Sequence, residues 1–129
     1  MRFMMLMIPS PEHQAQIDAG AFPDPEIVAA MGRYNEAMMK AGVMLSADGL
    51  HPRSAGARVV FSGGKGTVVD GPYTEAKEVL GGYWMIQTKS REEAIEWVLR
   101  CPEKDCVIEL RRVYELSDFP EDVQVAAQP

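Results

Sequence analysis

Residues Arg2 to Ile8 read Arg-Phe-Met-Met-Leu-Met-Ile, apolar at every position after the first. A strand with one wet face alternates between apolar and polar, so this run predicts a strand covered on both faces. Tyr83 to Ile86, Tyr-Trp-Met-Ile, has the same character. The first run is too short to span a bilayer and is cut by Pro9, and no small-residue cleavage site follows it. It therefore reads as part of a buried sheet in a cytoplasmic protein, and the rest of the chain must supply cover for two faces.

The sequence offers two long helices for that purpose. Asp24-Pro25 supplies an N-cap followed by proline at the first helical position, with Ile27, Met31, Tyr34, Met38 and Ala41 on one stripe, Val28 and Asn35 flanking it, and Gly42 as the stop. Ser90-Arg91-Glu92-Glu93 is a capping box that opens a second helix, predicted to bury Ala94, Ile95, Val98 and Leu99 before Cys101-Pro102. Further strands are expected at Val43–Ser46, Tyr83–Thr88 and Val107–Tyr114. A hairpin is expected from Arg58–Ser62, the turn Gly63-Gly64-Lys65-Gly66, and Thr67–Asp70. Pro9 to Asp24 reads as a long loop with room for a turn of helix, of the kind used as a lid or a partner-contacting arm.

The order strand, helix, strand, hairpin, strand, helix, strand predicts an α+β, ferredoxin-like antiparallel sheet with two long helices on one face. One domain over residues 1–116 is expected, followed by an acidic tail, 117–129, partly disordered or draped on a partner. Because the helices cover one face while two strands are apolar on both, a homodimer with sheets packed face to face is the expected remedy.

Between the hairpin and the next strand lies Asp70-Gly71-Pro72-Tyr73-Thr74-Glu75-Ala76-Lys77-Glu78. Gly71-Pro72 must end a strand, Asp70 can accept from the amides of that turn, and Thr74 with Glu75 can open a short helix through Leu80, ended by Gly81-Gly82.

The net charge is −6, and the basic residues are scattered without a stripe. Nucleic acid and anionic membrane surfaces are excluded on that ground, since both require clustered Lys and Arg. Cys101 and Cys106, at a spacing of five with no matching histidine pair, read as free thiols; neither a metal nor a cofactor is expected. A compact monomer of 14.3 kDa is expected to expose about 6,800 of roughly 20,700 Å².

Proton transfer near neutral pH calls for a histidine or a tuned carboxylate in a pocket that limits water. His51, in the Gly49-Leu50-His51-Pro52 turn, and Asp70 are the catalytic candidates, paired as a base oriented by a carboxylate. Arg58 or Lys77 could neutralise an enolate or a substrate acid, and Glu75 and Tyr73 complete the candidate substrate-binding set. Each has a structural alternative: a loop histidine, a turn cap, helix-surface charges, a buried aromatic. His13 reads as a solvated residue of the long loop.

The Asp70–Glu78 string, with Gly81-Gly82-Tyr83, Glu92-Glu93-Ala94-Ile95-Glu96-Trp97, Met31-Gly32, Tyr34-Asn35-Glu36, Ala41-Gly42-Val43 and Gly49-Leu50-x-Pro52, resembles the DGPF-type branch of the YCII-related family from about Arg2 to Val113. Tyr73 stands where that pattern usually has phenylalanine. The resemblance implies a dimeric α+β barrel and little about chemistry; members are commonly encoded beside extracytoplasmic-function sigma factors. Two functions are therefore carried forward. One is a cofactor-independent isomerase-like or lyase-like enzyme acting on a small organic molecule; the other is a non-catalytic ligand sensor with a transcriptional partner.

Overall fold

The computed structural model describes residues 1–69, 79–103 and 105–128. The strands are β1 (Arg2–Pro9), β2 (Met44–Gly49), β3 (Arg58–Ser62), β4 (Lys65–Val69), β5 (Gly82–Gln87) and β6 (Cys106–Arg112). The helices are α1 (Pro11–Asp18), α2 (Pro25–Lys40), α3 (Arg91–Leu99) and α4 (Glu121–Ala126). Four strands form one antiparallel sheet in the order β2-β5-β1-β6, and β3 and β4 form a separate two-stranded sheet. With α2 joining β1 to β2 and α3 joining β5 to β6, this is the expected ferredoxin-like split β-α-β arrangement.

The helix ends follow from local chemistry. The Asp24 carboxylate accepts from the amide of Glu26 with proline at the first helical position of α2, and the Ser90 hydroxyl accepts from the amide of Glu93 at the start of α3. The second half of the Ser90 capping box is displaced by one residue, because the Glu93 carboxylate accepts from the Lys89 amide. Gly63 and Gly64 both have positive φ, the conformation a two-residue turn between right-twisting strands requires.

The core lies between the sheet and the two long helices. Phe3 and Met5 of β1 and Trp84 and Ile86 of β5 meet Tyr34 and Met38 of α2 and Ala94 and Trp97 of α3. Met5, Met38 and Ile86 are fully buried, each worth about 1.5–3 kcal/mol relative to exposure. Alternation sends Met4, Leu6 and Ile8 of β1, with Tyr83 and Met85 of β5, to the opposite face, where they are half-buried and outside the helix-packed core. The apolar-on-both-faces character read from the sequence is thus a property of the two central strands.

Several details differ from the sequence reading. Pro9–Asp24 holds an eight-residue helix, α1, begun by Ser10, whose hydroxyl accepts from the His13 amide. In α3 Trp97 is buried, whereas Leu99 is 77% exposed, because the buried stripe runs through Ala94 and Trp97. The described part of the tail carries regular structure: a 3-10 turn at Leu116–Asp118 and α4 follow β6, held by a two-point pairing of the Arg2 guanidinium with Glu115 (2.6 and 3.1 Å) and by stacking of Tyr114 on Phe119. Neither Cys101 nor Cys106 is in a disulfide. The exposed surface is 9386 Å², well above the compact-monomer expectation; all five residues of each hairpin strand contribute exposed surface. No helix among the described residues is long and apolar enough to cross a membrane.

Candidate functional site

Met31 and Asn35 stand four residues apart on α2 and so share a face of the helix. Opposite them are Ala47 of β2 and Trp84 of β5, which are directly paired in the sheet. With Met7 of β1 and the strand-end residues Gly49, Gly81 and Gly82, they line a cavity of about 200 Å³. Cavities of about 150 Å³ admit benzene in other proteins, so a single-ring molecule is the right scale.

The walls are held by specific contacts. The Trp84 indole N–H donates to the Asn35 side-chain oxygen at 2.8 Å, and the Trp84 ring meets Tyr34 edge to face at 6.0 Å. Pairing with Trp84 uses the amide oxygen of Asn35, which leaves its NH2 group as the donor it can offer a ligand. A side chain at Gly82 would bring its Cβ to 3.0 Å from the Asp48 carbonyl, so any larger residue there would need the β2 backbone to give by a few tenths of an ångström.

Asp48 and Tyr83 also line the cavity, and they are cross-strand partners. The Tyr83 hydroxyl donates to Asp48 Oδ2 at 2.6 Å. That hydrogen bond, reinforced by the carboxylate charge and slight burial and opposed by a hydrogen bond with Ser46, holds the phenol above its ordinary pKa. The pair therefore presents a neutral phenol beside a carboxylate, a donor and a base within one hydrogen bond of each other. Strand alternation puts these two side chains across the sheet from Ala47 and Trp84, on the face the helices leave open.

Of the residues singled out from the sequence, His51, Arg58 and His13 are among the described ones. His51 is exposed just beyond β2, and Arg58 is exposed at the start of β3; neither lines the cavity. His13 is half-buried on α1, also away from it. Asp70, Tyr73, Glu75 and Lys77 lie outside the described residues, as do the Asp70 turn-cap reading and the His51–Asp70 pairing.

Asn35, Asp48 and Tyr83 are the polar groups that the sequence reading passed over. Asn35 was visible as a polar residue flanking the apolar stripe of α2. Asp48 was hidden because Ala47-Asp48-Gly49 resembles a turn, whereas β2 runs through it to Gly49.

The family model of the YCII-related domain matches residues 1–117. A protein of Rhizobium meliloti (strain 1021), described only as uncharacterized, is 30% identical over 74 residues, which cover 57% of this chain and 60% of that relative. The aligned region thus spans less than two thirds of the relative's length.

Proposed function

The chain belongs to the YCII-related family, and from that premise we propose that it is a small-molecule-binding protein of the DGPF-type branch, acting as a homodimer in the cytoplasm. The observation that carries the proposal is the cavity between α2 and the β2–β5 end of the sheet, walled by Met7, Met31, Ala47 and Trp84 and carrying the Asn35 amide as its polar handle. Its ligand is a small, largely apolar, single-ring molecule with one hydrogen-bonding substituent.

Chemistry, where it occurs, is cofactor-independent proton transfer, with Asp48 as base and Tyr83 as its hydrogen-bonded donor. The open sheet face, with Met4, Leu6 and Met85 half-buried, supports the homodimer.

One observation favours a non-catalytic sensor as the second reading. The Asp48 and Tyr83 side chains lie across the sheet from the apolar wall formed by Ala47 and Trp84, so the helix-side wall can hold a ligand without presenting it to a base.

Native mass spectrometry of protein purified from its source tests both dimer and ligand. A dimeric mass carrying a retained small molecule, lost in Ala47→Leu, is expected. Ligand-free monomer would overturn the proposal. Asp48→Asn separates the two readings, since turnover lost with retention intact marks an enzyme, and retention without turnover in the parent chain marks a sensor.

A further inference from the structure

Among the described residues that line the cavity, Asn35, Trp84 and Tyr83 carry side-chain hydrogen-bond donors. The donors of the last two are spent. The Tyr83 hydroxyl goes to Asp48 on the open face of the sheet, and the Trp84 indole N–H goes to the Asn35 oxygen. The main chain at the glycine end is engaged as well, since the Gly81 amide donates to the Met7 carbonyl at 2.8 Å and the Gly81 carbonyl accepts from Leu50 at 3.0 Å. The side-chain donor these described residues have left to give a ligand is the NH2 group of Asn35.

The orientation of that amide is forced by its neighbour. An indole nitrogen only donates, so the group that faces it must be the amide oxygen. Trp84 is 5% exposed, and without this bond its N–H would be a stranded buried donor. The Trp84 ring is itself set edge to face against Tyr34, whose hydroxyl is tied to the Trp97 carbonyl. Asn35 is therefore held from exchanging its two ends, and it meets a ligand as a donor fixed in advance.

The apolar walls indicate what should carry the matching acceptor. Met31 comes from the helix side and Met7 from the sheet side, with the Trp84 ring between the same layers. Thioether sulfur and indole both make favourable contacts with an aromatic ring, and about 200 Å³ admits one ring with a short substituent. A ring that fills this space takes the half-buried Asn35 amide out of water. A ligand without an acceptor leaves the NH2 unpaired, whereas a carbonyl oxygen on the ring's substituent restores its hydrogen bond.

We propose that the cavity selects aromatic carbonyl compounds, a single ring bearing an aldehyde or ketone oxygen, and that Asn35 is the residue that selects them. This deepens the small-molecule-binding reading above and rests on it.

Acetophenone and α-methylstyrene provide the test, because they share a shape and differ in having C=O or C=CH2. Both are titrated calorimetrically into the full chain and into Asn35→Asp, which keeps an oxygen for Trp84 and puts a second acceptor where the NH2 was. The substitution is expected to weaken acetophenone, relative to α-methylstyrene, by about tenfold or more. A second readout needs no variant: in isotope-labelled parent protein, acetophenone is expected to move an Asn35 side-chain NH2 proton resonance downfield, and α-methylstyrene is not. An unchanged affinity ratio, or NH2 protons that respond alike to both rings, overturns the selectivity and leaves the cavity standing as a general apolar site. If neither ring binds the parent chain up to its solubility, the small-molecule reading falls and this proposal falls with it.

Discussion

The Tyr34 hydroxyl donates to the main-chain carbonyl of Trp97 at 2.6 Å, a buried hydrogen bond that ties α2 to α3 above the sheet. Burial raises the Tyr34 pKa well above the usual tyrosine value, so the phenol remains a donor throughout the range in which the protein is handled. Tyr34→Phe keeps the ring against Trp84 and removes only the hydroxyl. We expect a loss of about 1 kcal/mol in denaturant unfolding with an unchanged m value, and a fall in Tm of roughly 2–6 °C.

The Asp48–Tyr83 hydrogen bond has a spectroscopic signature. Ultraviolet titration should show Tyr83, in addition to Tyr34, ionising above the ordinary range for an exposed phenol, and Asp48→Asn should return the Tyr83 step toward that range. Since Tyr83 lies on the open face, Tyr83→Phe should change stability by less than about 1 kcal/mol, and a larger change would mark the pair as structural.

Glu115 carries a pH dependence of defined sign. The hydrogen bond from Arg2 holds its carboxyl below the usual range, so the pairing is fully present above the ordinary glutamate pKa and is lost as pH falls through the lowered folded value. Following the Tyr114–Phe119 stack by near-ultraviolet circular dichroism should show the tail loosening on acidification, with Glu115→Gln already loosened at neutral pH. Both groups are exposed, so molar salt should weaken the effect.

Cys106 should be a poor nucleophile. Burial pushes its thiol up to about 11, with Cys101, Glu103 and Asp105 adding to the effect, so the thiolate is scarce at pH 8. Alkylation by iodoacetamide under native conditions should be far slower than that of glutathione and should reach the ordinary rate in denaturant.

The fold was legible because its determinants are local and periodic: proline and aspartate at the start of α2, serine and glutamate at the start of α3, and unbroken apolar runs in β1 and β5. The candidate site was not, because it depends on register. Asp48 meets Tyr83, and Ala47 meets Trp84, only once β2 is extended to Gly49 and paired with β5, and no short-range pattern fixes which residues of two distant strands become neighbours. His51 drew notice as a titratable group in a turn, and its chain position next to Gly49 and Leu50 gave no measure of its distance from the cavity wall. Leu99 was misread for a related reason: helical spacing limits which residues share a stripe, and the bulk of Trp97 decided which stripe faced inward.

The hydrogen bond between Leu50 and Gly81 closes the base of everything between them, and β2 and β5 are already neighbours beneath it. To the sheet, the β3–β4 hairpin is a cassette plugged into what would otherwise be a plain hairpin of β2 and β5. Replacing residues 51–80 with a short turn should therefore leave a chain that still builds the four-stranded platform.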